Sequence, residues 1–178
     1  AVGRAHALAA AEGIVAEELP YDRAVHTPLF APFADELRAV FGSLELGAPR
    51  VPVYSCTTAD RAPSDPEALR ELLAAHWTSP VRFRETIERL HDDGVRVFVE
   101  AGPRGNMTAF IEDTLRWRPC CAVPADVPRR SGITQLNHLV AQLAVHDVDL
   151  DLAPLYAERR VAEVDWRAPA AEERPTGR

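Results

Sequence analysis

One histidine, His26, stands directly ahead of Thr27 and Pro28, a pair with the chemistry of a helix start. A threonine oxygen can accept from the first orphan N–H groups of a helix. Proline suits the first helical position, where its missing N–H is not needed. Leu29, Phe33, Leu37 and Phe41 follow at helical spacing. The positive end of a helix dipole disfavours an imidazolium beside it, and a neutral imidazole can take the proton of a hydroxyl nucleophile. The same placement fits an ordinary surface or half-buried loop histidine, which is the simpler reading of these residues alone.

A base of this kind needs a nucleophile. The serines are Ser43, Ser55, Ser64, Ser79 and Ser131, and none lies in a G-x-S-x-G elbow. Ser79 and Ser131 read as helix caps. Cys56 follows an apolar stretch, where a reactive thiol could stand. No cation adjoins it in sequence to stabilise a thiolate, so a buried thiol is the simpler reading. If His26 is a base, its partner lies outside these residues.

The remaining candidates have plain alternatives. GPRG (102–105) falls between a strand and a helix, where phosphate loops occur. It lacks both the third glycine of the dinucleotide fingerprint and a Gly-Lys-Ser/Thr. A turn glycine explains it as well, and a stand-alone nucleotide-binding α/β domain is one reading of the chain. His76, beside Trp77 on an apolar face, reads as core. Asp92-Asp93 before Gly94 reads as a solvated helix end, and Arg129-Arg130 is too short for a nucleic-acid patch. Cys56, Cys120 and Cys121 show neither metal-ligand spacing nor an even disulfide framework, which predicts no metal and a reducing, cytoplasmic setting.

The elements that would position these groups alternate. The pattern predicts a helix over 5–11 stopped by Gly13, a strand over 14–19, a helix over 28–41 and a strand over 50–55. A helix after Asp65-Pro66 puts Leu69, Leu72, Leu73, His76 and Trp77 on one face. Another, opened by Ser79-Pro80, turns Phe83, Ile87 and Leu90 inward. VRVFVE (95–100) is nearly continuous in β-formers, as a strand buried on both faces should be. Met107, Phe110, Ile111 and Leu115 mark a further helix, and 121–125 a short strand. Ser131 caps a helix over 132–146 with Ile133, Leu136, Leu139, Val140 and Leu143 inward. The tail 167–178 has a linker's composition. Alternating strands and helices predict an α/β fold with a mostly parallel sheet.

The composition sets outer bounds. The chain has 178 residues, 47% of them apolar, enough for a real core. Its net charge of −7 argues against nucleic acid or an anionic membrane as main partner. All 20 basic residues are arginine. No apolar run approaches a membrane span. The chain opens at Ala1 in helical-looking sequence, which reads as a piece of something longer.

Three segments in order, AVHTPLFAPFADELRAVFGSL, VPVYSCTTAD and HWTSPVRFRETIERLHDDGVRVFVEAGPRGNMTAFIEDTL, resemble malonyl-CoA:acyl carrier protein acyltransferase domains, with their W-x-x-P-V-x-F and F-V-E-x-G-P patterns. The ending VPRRSGITQLNHLVAQLAVHDVDLDLAPLY is similar to iterative type I polyketide synthases of the enediyne type and to polyunsaturated-fatty-acid synthases. The resemblance spans about residues 1–158. It implies an α/β-hydrolase-like subdomain with an inserted ferredoxin-like one. Residues 1–20 would end the small subdomain, 21–158 would form the C-terminal part of the large one, and 159–178 a linker.

By position, His26 matches the family's catalytic histidine. His76 matches a residue, commonly glutamine, whose backbone carbonyl orients that ring. Ala24 and Val25 fill positions that correlate with extender-unit choice. Arg-Ala-Val-His matches neither the His-Ala-Phe-His of malonyl domains nor the Tyr-Ala-Ser-His of methylmalonyl ones, and leans to malonyl. Cys56 stands where many relatives have asparagine. The resemblance implies malonyl-CoA as substrate, phosphopantetheine on an acyl carrier protein as acceptor, and no directly bound cofactor. The elbow serine, the oxyanion residues and the malonyl-binding arginine would lie upstream, in the other half of the domain beside a ketosynthase. The chain alone would then be inactive and would expose an apolar sheet edge. The alternative is a non-catalytic scaffold or docking segment for neighbouring synthase domains. Arg82, Arg84, Arg89, Arg104, Arg116 and Arg118 would then offer a basic face to an acidic carrier.

Overall fold

The core is built around a short parallel strand pair. In the computed structural model, which describes residues 2–17, 23–157 and 167, β3 (Val97–Glu100) lies parallel to β4 (Cys121–Pro124) with Val97 opposite Cys121. Parallel strands need a crossover, and α5 (Asn106–Thr114) supplies it. Side chains alternate across a strand. Phe98 therefore joins Ile111 and Leu115 at the end of α5, and Ile87 of α4 (Phe83–Asp92), in one buried cluster. Cys121 and Val123 point the other way and bury against Leu139 of α6 (Gly132–Val145). The observed architecture is α/β, as the alternation predicts.

The N-terminal elements begin with α1 (Val2–Ala11), which ends where Gly13 takes a positive φ of 69°. Residues 14–17 form no strand, against expectation. A strand needs a ladder partner, and no described residue pairs with them. The rest of that expected strand, 18–19, lies outside the described residues. The helix expected over 28–41 splits into a 3-10 turn, Pro28–Phe33, and α2 (Ala34–Gly42). Pro32 has no N–H for an α-helical ladder, so the first segment stays 3-10 and Leu29 is left exposed.

The strand expected over 50–55 shrinks to β1 (Tyr54–Ser55), which pairs antiparallel with an unforeseen β2 (Asp60–Arg61). Pro49 and Pro52 remove ladder donors ahead of it. α3 (Pro66–His76) starts as predicted, with Asp65 accepting from the Ala68 N–H at 2.8 Å. α4 begins at Phe83 rather than at Pro80, and Ser79 caps nothing; Arg82 takes the cap position without a side-chain bond. β3 is buried on one face only: Phe98 is 8% exposed and Val99 46%.

Ser131 does cap α6, accepting from the Thr134 N–H. Ile133 and Leu136, expected inward, are exposed. Gln135 takes the inward position instead. Its Nε2 donates to the Pro124 carbonyl at 2.6 Å, and its Oε1 accepts from Arg130 Nη1 at 2.6 Å. An apolar count along the helix favours its greasier face, but the free carbonyl at the end of β4 needs a donor. The linker expected over 159–178 lies outside the described residues except for Arg167. Among the described residues no helix is long and apolar enough to cross a membrane.

Candidate active site

The end of α3 presents two backbone carbonyls without intrahelical partners, those of His76 and Trp77. Helix C-termini always leave such groups. Both are taken by His26: its backbone N–H donates to Trp77 O at 2.8 Å and its Nδ1–H to His76 O at 2.9 Å. A carbonyl only accepts, so the proton sits on Nδ1. The neutral ring therefore keeps its free lone pair on Nε2, and no described group hydrogen-bonds that nitrogen.

The backbone reaches this place through a tight turn. Thr27 Oγ1 donates to Ala24 O at 2.8 Å and accepts from the Leu29 N–H at 3.2 Å, the cap its type predicts. His26 itself takes a left-handed φ of 61°. A non-glycine residue in that region is uncommon and is held by its surroundings. The ring lies parallel to Trp77 at 6.1 Å between centroids and edge-on to His76 at 4.6 Å. Phe30 extends the stack over Trp77 at 5.9 Å. The tail end of α3, rather than the start of the following helix, thus sets the orientation of His26.

His76 is half-buried rather than core, and its ring contacts Thr57, Nδ1 to Oγ1 at 3.0 Å. Burial, and then repulsion from His26 whenever that ring is protonated, push the His76 imidazole below its ordinary value. It is neutral near pH 7. Cys56 and His76 share the wall of a cavity of about 300 Å³ with Leu69 and Leu72. Ala24 and Val25 are not in that wall; they sit exposed on the turn before His26. The structure therefore joins His26 to His76, and His76 to Cys56, but does not gather all five expected residues around one cavity. Burial pushes the Cys121 thiol up, aided by the neighbouring Cys120 and Glu112, which leaves it an inert core group.

Two residues with clear structural roles carried no sequence signal of their own. One is Thr57. The other is Glu100, inside the F-V-E-x-G-P segment. Its Oε2 accepts from the Thr108 N–H at 2.7 Å and from the Thr108 hydroxyl at 2.8 Å. Burial alone would raise this carboxyl. The Thr108 N–H and hydroxyl, with the Met107 and Gly105 N–H groups, outweigh it and hold Glu100 below the usual range. The start of α5 after GPRG is thus satisfied by the protein's own carboxylate, which opposes a phosphate there. Gly105 has a φ of 80°, and a Cβ on it would meet Pro124 Cγ at 3.3 Å, so the glycine serves a tight turn.

Glu100→Gln is expected to lower stability at pH 7 by about 1–2 kcal/mol, since it removes a charged acceptor from several donors. A carboxyl with a depressed folded pKa stabilises above the unfolded value of about 4.3 and loses that contribution as pH falls through its folded value. Urea unfolding should therefore show a gap between wild type and variant at pH 7 that closes in acid. Gly105→Ala should destabilise by about 1–2 kcal/mol through the left-handed backbone, read as a lowered melting temperature.

Four of the six arginines of the expected basic face are engaged locally. Arg82 binds Thr58 O and Glu85, Arg89 pairs with Asp60 and Asp93, Arg116 with Asp113, and Arg118 with Asp92. Among the described residues no group of three or more histidine, cysteine or acidic side chains could hold a metal ion.

The fold and this site define an α/β protein that presents an imidazole fixed by the carbonyl end of a helix. Residues 1–149 match the family model described as the acyl transferase domain. The chain belongs to the acyl transferase domain family. It is 32% identical over 127 residues to the spectinabilin polyketide synthase system protein NorB of Streptomyces orinoci, covering 71% of this chain and 6% of that protein. Among solved structures it is similar to the acyltransferase domain of the iterative polyketide synthase in enediyne biosynthesis. That match has 32% identity and a TM-score of 0.65, and covers 89% of this chain and 38% of that one. It is also similar to the malonyl CoA-acyl carrier protein transacylase of Coxiella burnetii, at 26% identity and a TM-score of 0.63, over 78% of this chain and 42% of that one. The chain thus spans well under half the length of the solved domains and a small part of the synthase it matches.

Proposed function

We propose that this chain carries the general base of an acyltransferase that moves malonyl from malonyl-CoA to an acyl carrier protein. The observation that carries the reading is the Nδ1–H of His26 donated to His76 O, which leaves Nε2 free to take a proton. Support comes also from family membership and from the likeness to a malonyl transacylase. The nucleophile is a serine outside residues 1–178. His26 Nε2 takes its proton as the serine oxygen attacks the thioester carbonyl. The tetrahedral intermediate collapses, the C–S bond breaks, and the imidazolium returns the proton to the coenzyme A thiolate. The phosphopantetheine thiol then gives its proton to His26 and attacks the serine ester. The serine leaves as an alkoxide and regains the proton.

The carbonyl of His76 faces ring Nδ1 with its negative end, a setting that suits an imidazolium formed in passing. His76 is thus the orienting residue through its backbone. Ala24, Val25 and Cys56 are the candidates for contact with substrate. In this reading residues 1–20 end a ferredoxin-like subdomain, 21–158 are the C-terminal part of the large subdomain and 159–178 a linker, within a cytoplasmic synthase that also holds an adjacent ketosynthase.

Carrier-protein loading by the protein of the complete reading frame tests the activity. Malonyl-CoA, methylmalonyl-CoA and acetyl-CoA are offered in separate assays, with loading read by mass spectrometry. Transfer from malonyl-CoA is expected to dominate. Loading only from acetyl-CoA would contradict the substrate class, and loading from none would contradict the activity.

A further inference from the structure

We propose that Thr57 is a positioning residue for the His26 base, acting through the side chain of His76. The inference rests on His26 being that base. His76 is gripped from two directions: its backbone carbonyl accepts from His26 Nδ1–H at 2.9 Å, while its ring Nδ1 meets Thr57 Oγ1 at 3.0 Å. A carbonyl at the last residue of a helix has no ladder beyond it to fix its peptide plane. The bonds that close the end of α3 are long, Trp77 N–H to Ala74 O at 3.3 Å and Thr78 N–H to Ala75 O at 3.2 Å. What the His76 side chain holds therefore helps decide where its carbonyl points.

Thr57 is a firm anchor. It lies in the turn of the β1–β2 hairpin, closed by the Ala59 N–H on Ser55 O at 2.8 Å, and its own N–H donates to Ser55 Oγ at 3.1 Å. Arg82 clasps the turn on both sides of Thr57, with its N–H on Cys56 O at 2.8 Å and its Nη1 on Thr58 O at 2.9 Å. The hairpin is tied to the end of α4 as well: the Tyr54 hydroxyl donates to Asp93, and Arg61 pairs with the same carboxylate. A continuous chain of contacts thus runs from α4 through the hairpin to Thr57, His76 and His26. The threonine hydroxyl can donate or accept, so it fits either tautomer of the His76 ring. Thr57 touches no reacting atom. Its part is to hold the carbonyl that aims the base.

The test is steady-state transfer of malonyl to the carrier by the complete protein. Thr57→Val keeps the shape and removes the hydroxyl. It should lower kcat about tenfold by loosening the base, with KM for malonyl-CoA changed less than about twofold. Thr57→Ser should restore kcat. In a His76→Phe background, Thr57→Val should cost nothing further, because the contact is already gone. His26→Ala in the same assay separates the two claims. If His26→Ala abolishes transfer while Thr57→Val turns over like wild type, or serine fails to rescue, Thr57 has no positioning role and the base stands. If His26→Ala transfers normally, the base is wrong and this inference falls with it. Should Thr57→Val not fold, His76→Phe alone must reproduce the tenfold loss, and wild-type turnover in that variant overturns the proposal.

Discussion

Replacing His26 with alanine is expected to slow both self-acylation from malonyl-CoA and transfer to the carrier by about a hundredfold or more in the complete protein. The size follows from the two jobs of one nitrogen. In the proposed mechanism Nε2 takes a proton from the incoming serine or thiol and gives one to the departing thiolate or serine. Alanine removes both and leaves positioning and electrostatics to do what they can alone. Stability should change little, because His26 is only half-buried and alanine keeps the backbone N–H on Trp77 O. Stopped-flow or quenched self-acylation, with a melting curve beside it, measures both. Near-normal acylation in a folded variant would remove His26 from the chemistry.

Leu115→Ala should produce the largest loss of stability, about 3 kcal/mol. Leu115 is 1% exposed and packs with Ile87, Phe98 and Ile111 where α4, α5 and β3 meet. Its N–H closes the last turn of α5 onto Ile111 O at 2.9 Å, so the backbone there cannot easily collapse into the space left. The cost therefore combines lost transfer free energy with an unfilled cavity. Urea unfolding should show a lower midpoint with an unchanged slope. A shift of less than about 1 kcal/mol would mean that this cluster is not the centre of the core.

The parts of this molecule that follow local rules were readable in advance. Thr27, Asp65 and Ser131 cap their elements as their types require, and Gly13 ends α1. Phe98, Ile87, Ile111 and Leu115 are core because their spacing places them on inner faces. Some failures were local, where Pro32, Pro49 and Pro52 broke a helix and a strand that apolar spacing favoured; in the others a partner from elsewhere decided the outcome. Gln135 is buried because the Pro124 carbonyl needs a donor, which no helical periodicity records. β2 pairs with β1 through a four-residue turn, and its Asp60 is a poor strand former that hides it from the sequence. Thr57 is linked to His76 across 19 positions, and only the fold brings them together. His26 was legible as a residue beside a helix cap. That the carbonyl end of a different helix, 50 positions later, fixes its tautomer was legible only through family resemblance.

In the proposed division of the site, the base lies in this chain and the nucleophile outside it. Peptide-mapped mass spectrometry after a brief incubation with malonyl-CoA tests it most directly, applied to the complete protein and to its His26→Ala variant. A malonyl ester is expected on a serine outside residues 1–178, forming much more slowly in the variant. A stoichiometric malonyl adduct within this chain, on Cys56 or on any of its five serines, would contradict it.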